Sequence, residues 1–167
     1  AVEAGLGWTG KNACLILPQK GSYFFLGEIL TNLELEPDNP FRKSHCGNCR
    51  LCVDACPGGA IRGDGSIDSA RCLSYLTIEE KKPLDSRQKA LLSGWVFGCD
   101  VCQMVCPHNR FATPTREDAF RILEPLGSWD THQWQNMDKT GFKKAFIRSG
   151  SPLARVRYEK LKDNMDQ

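Results

Sequence analysis

Residues 45–57, HCGNCRLCVDACP, hold the pattern that decides how the surrounding chain folds. The cysteines of this stretch are spaced C-x2-C-x2-C-x3-C, and a proline follows the last of them: Cys46, Cys49, Cys52 and Cys56. In iron–sulfur proteins with this spacing, the first three thiolates bind one four-iron cube and the fourth cysteine binds a second cube. The stretch therefore predicts two [4Fe–4S] clusters.

A second and shorter run, CDVCQMVCP, lies at residues 99–107. Val96 stands where a complete run would have its first cysteine, and Cys72 is the one unassigned thiol nearby. Two four-iron cubes need about eight thiolate ligands, and the two runs together with Cys72 supply that number. Cluster one takes Cys46, Cys49, Cys52 and Cys106, and cluster two takes Cys56, Cys72, Cys99 and Cys102.

Zinc sites and disulfides are the alternatives to iron–sulfur clusters for a chain with 9 cysteines among 167 residues. Zinc usually takes two closely spaced cysteine pairs separated by a longer loop, which the first run fits poorly. Clustered cysteines of this kind favour metal in a reducing compartment over disulfides, so we expect a cytoplasmic protein. Cys14 lies apart in an apolar run, where a cysteine is usually a small buried hydrophobe rather than a ligand.

The composition, with 41% hydrophobic and 25% charged residues and a net charge of +2, is that of a globular protein. No apolar stretch is long enough to span a bilayer, and the first residues lack the layout of a signal peptide. The chain begins without Met and in the middle of a pattern, so we expect a fragment whose N-terminal part is missing.

A glycine-rich stretch at residues 5–10, GLGWTG, matches the G-x-G-x-x-G fingerprint of dinucleotide-binding proteins. That fingerprint needs a strand before it and a helix after it, whereas here the preceding residues resemble a helix end and the following NACLIL is strand-like. We interpret the stretch as a bend, or as a loop whose backbone approaches another large ligand and to which Lys11 and Asn12 add donors. Strands are expected at residues 12–17, 23–26 and 28–35.

Capping signals predict helices in the rest of the chain. Asp68 and Ser69 can cap a short helix that carries Cys72. Asp85 and Ser86 can cap a second helix at residues 87–93, which Gly94 ends. Further helices are expected at residues 116–123 and 140–148, and from Ser151 and Pro152 onward.

Basic residues crowd the C-terminal segment. Between residues 139 and 162, Glu159 is the one acidic residue, and the basic residues are Lys139, Lys143, Lys144, Arg148, Arg155, Arg157, Lys160 and Lys162. We call this set the basic stripe. Such a stripe is the footprint of contacts with nucleic-acid phosphates, although a charge run by itself can also be a solvated helix face.

Four segments together resemble the epoxyqueuosine reductase family: GLGWTGKN at 5–12, NLELEPDNPFRKSHCGNCRLCVDACPGGAI at 32–61, RCLSYLTIE at 71–79 and GCDVCQMVCPHN at 98–109. The resemblance covers residues 1 to about 165, and Cys72 lies where the family has its additional ligand. It implies a cytoplasmic enzyme that reduces epoxyqueuosine to queuosine at the tRNA wobble position. The implied cofactors are cobalamin and two [4Fe–4S] clusters, with electrons passing from the clusters to cobalamin.

The resemblance also implies roles for residues outside the cysteine set. It assigns six positions to cofactor binding: Trp8, Gly10, Lys11, Asn12, Ser74 and Asp100. The first four would form a loop that faces cobalamin, and the last two would lie beside the second cluster. A hydrogen bond from Ser74 to its own helix and a capping role for Asp100 are the ordinary alternatives.

No catalytic residue is assigned, because the catalytic acid of the family lies at a position before Ala1. The chain could therefore hold its clusters and still be inactive. His108 follows the second run, and we expect it behind the ligands or at the surface, since the eight thiolates already fill both cubes.

We expect an α+β chain in three parts: part of a cobalamin-binding α/β domain at 1–42, a two-cluster ferredoxin-like domain at 43–115 and a basic helical segment at 116–167. The expected partners are tRNA carrying epoxyqueuosine and an external low-potential electron donor, with no membrane and a monomeric state. The alternative functions are a ferredoxin-type electron-transfer module and a corrinoid enzyme similar to reductive dehalogenases. A ferredoxin would not explain the cysteine-free ends, and the basic stripe disfavours a small halogenated substrate.

Overall fold

A computed structural model describes residues 1–122 and 126–166. The residues fall into two compact units: Ala1–Asp68 with Asp100–Pro114, and Ser69–Cys99 with Thr115–Gln167. The three-part division at residues 42 and 115 stays a prediction. No helix in the described ranges is long and apolar enough to cross a membrane.

The helices are short and irregular turns connect them. Within the described residues the α-helices are α1 (Leu51–Asp54), α2 (Leu73–Ile78), α3 (Ser86–Leu92), α4 (Val101–Met104), α5 (Thr131–Asn136), α6 (Lys139–Phe142) and α7 (Tyr158–Met165). Turns of 3-10 helix lie at Ser69–Arg71, Pro107–Phe111, Asp118–Phe120, Leu126–Ser128 and Pro152–Arg155, and a π-helical turn lies at Lys143–Ile147. The fold is therefore mixed and mainly helical, with one small sheet.

The glycine-rich stretch forms a β-hairpin in the first unit. Strand β1 (Trp8–Thr9) pairs antiparallel with β2 (Leu15–Ile16), and Trp8 lies opposite Ile16. A Cβ atom on Gly7 would lie 2.1 Å from the Ile16 carbonyl oxygen, so this position requires glycine. No helix follows the stretch, which agrees with its interpretation as something other than a dinucleotide fingerprint.

The strands predicted at residues 23–26 and 28–35 are wrong, and the strand predicted at 12–17 is reduced to β2. Leu17 adds an isolated bridge to Gly21, and the described residues 22–40 form no strand. Ile29 and Leu30 remain 92% and 96% exposed. An apolar pattern forms a strand only where a partner strand completes the ladder, and no other described segment pairs with this one.

The helix at residues 87–93 is confirmed as α3. The Asp85 carboxylate accepts the Gln88 N–H at 2.8 Å, and the Gln88 side-chain oxygen accepts the Asp85 N–H at 3.0 Å, which completes a capping box. Ser93 ends the helix with a left-handed backbone (φ 49°). The helix expected after Asp68 begins later than predicted, because Ser69–Arg71 is a 3-10 turn and Cys72 is the N-cap residue of α2.

The C-terminal helices are more broken than the sequence predicts. The helix expected at 116–123 is represented by the turn Asp118–Phe120, and Leu123 lies outside the described residues. The helix expected at 140–148 divides into α6 and the π-helical turn. The final helix divides at Val156 and Arg157, whose extended backbones separate Pro152–Arg155 from α7.

Two apolar clusters stabilise the second unit. One consists of Leu73, Leu76, Leu84 and Leu92, and the other consists of Met137, Phe142, Phe146, Val156 and Leu161. Asn164 is fully buried, and its amide nitrogen donates to the carbonyl oxygens of Thr77 and Val96, both at 2.8 Å. The Thr77 hydroxyl in turn accepts the Gly98 N–H at 3.0 Å. This network fixes the segment directly before Cys99.

Candidate metal centre

The structure brings the four cysteines assigned to cluster one to a single cavity in the first unit. Its lining consists of Cys46, Cys49, Cys52, Cys106, Lys11, Asn12, Ile16, Pro107 and His108. All four cysteines are half-buried and free of disulfides. Cysteines from two separate runs, with Cys52 and Cys106 54 positions apart, thus line one cavity, as shared ligation of a cluster requires.

Local backbone geometry directs the first run into this cavity. The Cys49 N–H donates to the Cys46 carbonyl at 3.0 Å, and Gly47 between them has a left-handed backbone (φ 47°). This tight turn precedes α1, which carries Cys52. Past the helix, the Cys56 sulfur accepts the Ala60 N–H at 3.2 Å, so the fourth cysteine is also held by its own loop.

Burial raises the pKa of the Cys52 and Cys106 thiols, and the charges of neighbouring thiols raise it further. A coordinating metal has the opposite effect, because it deprotonates a thiol outright. No three His, Cys, Asp or Glu side chains of the described residues are placed to hold a single metal ion. A four-iron cube is larger than one ion and takes a separate thiolate at each iron.

Lys11 binds the loop that carries the first cysteines. Its ammonium group donates to the carbonyl oxygens of Gly47 at 2.7 Å and Cys49 at 2.9 Å. The side chain therefore ties the hairpin to the cysteine run. It also places a positive charge beside a group of thiolates, and charge near a cluster is one of the factors that set its potential.

Trp8 packs behind the same cavity and is 4% exposed. Its ring centroid lies 4.9 Å from those of His45 and His108 and 5.7 Å from that of Phe41. His108 thus stands at the cavity wall, against Trp8. The Trp8 indole nitrogen and the Asn12 amide nitrogen are both buried, and neither has a hydrogen-bond partner among the described residues.

Sequence reasoning missed a polar network that holds the second cysteine run. The Asn109 side chain accepts the Ser22 N–H at 2.6 Å and donates to the Gln103 carbonyl at 2.8 Å. The Ser22 hydroxyl also donates to the Gln103 side-chain oxygen at 2.8 Å. Asn109 stands three residues after Cys106, within the quoted segment 98–109, but its partner is 87 residues away and no local pattern indicates it.

The sequence predicts Cys14 as a small buried hydrophobe, and the structure differs from this prediction. Cys14 is half-buried, and hydrogen bonding with the neighbouring Cys102 thiol lowers the pKa of the Cys14 thiol and raises the pKa of the Cys102 thiol. The sequence could not show this contact, because it is made by residues 88 positions apart.

The remaining predicted site residues are divided between the two units. Cys56 and Cys102 belong to the first unit and Cys72 and Cys99 to the second, so their assignment to one cluster stays a prediction. Cys99 packs against the leucine cluster of α2 and α3. Ser74 is half-buried in α2, and the exposed Asp100 is the N-cap residue of α4, where its carboxylate accepts the Gln103 amide at 2.9 Å.

The basic stripe is partly neutralised within the second unit. Lys139 pairs with Glu159 at 2.7 Å, Arg155 pairs with Glu79, and Lys162 donates to the Gln135 carbonyl. Four exposed residues of the stripe form no salt bridge within the described ranges: Lys143, Lys144, Arg148 and Arg157. These four hold the charge that remains for an external anion.

Part of the chain is similar to a known family of iron–sulfur proteins. Residues 45–109 match the protein family described as a 4Fe-4S double cluster binding domain. The match begins one residue before Cys46 and ends three residues after Cys106, and it supports the presence of two clusters.

Comparison of the whole chain identifies closer relatives. It is 47% identical over 165 residues to the epoxyqueuosine reductase of Cyclobacterium marinum, which covers 99% of this chain and 52% of that protein. The structure of epoxyqueuosine reductase from Streptococcus thermophilus matches 99% of this chain and 42% of that one, with a TM-score of 0.76 and 35% identity. An epoxyqueuosine reductase crystallised with an epoxyqueuosine-modified stem loop of tRNA-Tyr matches with a TM-score of 0.76 and 32% identity, over 99% of this chain and 43% of that one.

The chain is thus a relative of the epoxyqueuosine reductases over nearly its entire length, which confirms the resemblance expected from the sequence. It spans about half the length of the curated relatives that it matches.

Proposed function

We propose that this chain supplies the iron–sulfur part and a tRNA-binding surface of an epoxyqueuosine reductase, which reduces epoxyqueuosine to queuosine at the tRNA wobble position. The observation that carries the proposal is the cavity formed by Cys46, Cys49, Cys52 and Cys106 in a chain similar to those enzymes over 99% of its length. Removal of the epoxide oxygen consumes two electrons, and clusters deliver electrons one at a time.

The residues present fit an iron–sulfur cluster at this cavity. Thiolates are the ligands that such clusters take, and the buried N–H groups of Asn12 and Trp8 have no acceptor among the described residues, although sulfur can accept hydrogen bonds. When bound, the cluster supplies and stores single electrons. The chain holds it with the four cysteines and supports their loop with Lys11.

Cluster two is proposed from the sequence, with Cys56, Cys72, Cys99 and Cys102 as its ligands. The double-cluster family match over residues 45–109 includes all four positions and supports the assignment. An external low-potential donor would reduce the clusters.

Cobalamin is proposed as the cofactor that receives the electrons and acts on the epoxide. Trp8, Gly10, Lys11 and Asn12 stay predicted as its contacts, and Ser74 and Asp100 stay predicted beside the second cluster. The side chains of Trp8, Lys11 and Asn12 lie against the cysteine loops, which supports a role for them in holding the cluster beside the corrinoid. No residue of this chain is assigned as the catalytic acid.

The tRNA substrate is proposed from the basic stripe and from the relative crystallised with a tRNA stem loop. Lys143 and Lys144 are exposed on the π-helical turn and Arg148 is exposed directly after it, where phosphate oxygens can reach all three. A cytoplasmic, monomeric protein without membrane association agrees with this substrate.

The test is turnover by the complete protein, purified without oxygen and supplied with cobalamin, a low-potential reductant and tRNA carrying epoxyqueuosine. Mass spectrometry of the digested nucleosides is expected to show queuosine, and Cys106→Ala is expected to abolish its formation. A protein that carries both clusters but neither retains cobalamin nor binds this tRNA would instead be an electron-transfer module of ferredoxin type.

A further inference from the structure

Two short segments of the second unit line a cavity of about 160 Å³: residues from 78–81, at the end of α2, and residues from 155–160, at the start of α7. Four basic and two acidic side chains contribute to its lining: Lys81, Arg155, Arg157, Lys160, Glu79 and Glu80. We call it the basic cavity.

Both acidic side chains of the basic cavity already have partners. Glu79 forms a salt bridge with Arg155, and the Glu80 carboxylate accepts a backbone N–H two residues later at 2.9 Å. Neither Arg157 nor Lys160 forms a salt bridge with a described residue. The cavity therefore has an excess of positive charge.

The ammonium group of Lys160 has no partner in the described part of the chain. Its nitrogen is buried and forms no hydrogen bond there. Asp163, three residues later on α7, is paired with Lys89 at 2.7 Å instead. Because burial of an unpaired charge is unfavourable, an anion bound in the cavity would offset a cost that the fold itself leaves uncompensated.

Arg157 and Lys160 supply two kinds of donor to such an anion. Arg157 is exposed, and its side chain does not cap α7. A guanidinium group presents a planar fork of N–H donors that matches the geometry of a phosphate. Lys160 adds a compact charge on a flexible stem that lines the cavity, so rotation about its bonds can bring the ammonium group to a bound anion.

We propose that the basic cavity binds one backbone phosphate group of tRNA, with Arg157 and Lys160 as its contacts. A polyanion is favoured over a free phosphate because three further exposed basic residues of the stripe lie in the same unit: Lys143, Lys144 and Arg148. The proposal rests on the function proposed above, in that RNA is the source of the phosphate. It deepens that function by giving one phosphate a defined site.

The test compares Lys160→Met, Lys160→Arg and Arg157→Gln with the unchanged protein in binding of a fluorescent tRNA-Tyr transcript that lacks the modified base. Anisotropy is measured over a salt series on the complete protein purified without oxygen. Cobalamin and reductant are left out, so reductase activity does not enter the result. Lys82→Met removes the same charge at an exposed position outside the cavity lining and is the control.

Lys160→Met and Arg157→Gln are each expected to weaken binding by roughly threefold to tenfold. Each should also make the dependence of log K on log salt shallower by about one unit, as expected for one lost phosphate contact. Lys160→Arg keeps the charge and should retain most of the affinity. Lys82→Met should bind as the unchanged protein does.

Stability separates a binding role from a structural one. Lys160→Met should unfold at the same or a higher urea concentration than the unchanged protein, because a buried unpaired charge is removed and no hydrogen bond is lost. A lower unfolding midpoint together with unchanged tRNA affinity would make Lys160 structural and overturn the proposal. If Lys160→Met does not fold, Arg157→Gln against Lys82→Met decides the question.

Equal affinities and salt dependences for Lys160→Met and Lys82→Met would also overturn the proposal. Inorganic phosphate is the second probe: saturable binding that both cavity variants lose, with tRNA affinity unchanged, would assign the cavity to a free phosphate and exclude RNA. Formation of queuosine by the unchanged protein, with no loss of tRNA affinity in either variant, would overturn this proposal alone and leave the proposed function in place.

Discussion

At the scale of single residues, the chemistry of the chain depends on which sulfur belongs to which cluster. Cys106 comes from the second run but lines the same cavity as Cys46, Cys49 and Cys52. The spacing predicts that the last cysteine of one run serves the cluster of the other, and the position of Cys106 supports that prediction.

This exchange gives a direct prediction for substitutions. Cys49→Ala and Cys106→Ala should each remove about four irons and should lose the same signal in electron paramagnetic resonance, whereas Cys56→Ala should lose the other signal. Iron assays and spectra of the reduced proteins measure this. Loss of different signals from Cys49→Ala and Cys106→Ala would mean that the two runs do not share a cluster.

Lys11 should stabilise the cluster through the loop that it holds. Lys11→Met removes two hydrogen bonds from a charged donor to Gly47 and Cys49, each worth about 1 kcal/mol or more. Iron release to a chelator should become roughly tenfold faster, since about 1.4 kcal/mol corresponds to a factor of ten. Lys20→Met, at an exposed position of the same unit, is the control, and equal release rates in both variants would contradict the role.

At the scale of secondary-structure elements, the sequence predicted features that depend on neighbouring residues, but it did not predict pairing between distant segments. The capping box of α3 was predictable because Asp85 and Gln88 stand three residues apart and need no distant partner. The strand at residues 28–35 failed because a strand depends on a ladder partner, which a sequence pattern does not supply. Spacing predicted which cysteines line one cavity, but Cys14 and Asn109 contact residues more than 80 positions away.

Asn164 joins α7 to α2 and to the segment before Cys99, and no sequence pattern predicted it. Asn164→Leu should lower the free energy of unfolding by about 1–3 kcal/mol, because the buried carbonyls of Thr77 and Val96 lose their donor. Urea unfolding measures the effect. Asn136→Ala, at an exposed position of α5, should change stability by less than about 0.5 kcal/mol. Equal stability of the Asn164→Leu variant and the unchanged protein would show that this network is dispensable.

At the scale of the whole molecule, the two units have different tasks in the proposed function. The first unit holds the cluster-one cavity, and the second carries the basic stripe. Arg155 is already paired with Glu79, so its reversal would also break an internal contact. Lys143 and Lys144 are the cleaner test of tRNA binding, because they are exposed and form no salt bridge in the described ranges.

Charge reversal at both lysines, Lys143→Glu with Lys144→Glu, should weaken binding of the modified tRNA by roughly tenfold or more at low salt. It should also make the dependence of log K on log salt shallower by about one to two units, as expected for lost phosphate contacts. Fluorescence anisotropy over a salt series measures both. Lys20→Glu with Lys43→Glu changes the net charge equally and is the control, and equal affinities for the two double variants would remove the stripe from the tRNA-binding surface.

The central claim is that the eight assigned cysteines hold two four-iron clusters. The most direct measurement is the content of iron, acid-labile sulfide and zinc in the complete protein purified without oxygen, together with its visible spectrum. About eight irons and eight sulfides per chain, with the broad absorption of iron–sulfur clusters, are predicted. About two zinc ions per chain with no sulfide would contradict the assignment of the cysteines to iron–sulfur clusters, on which the proposed function depends.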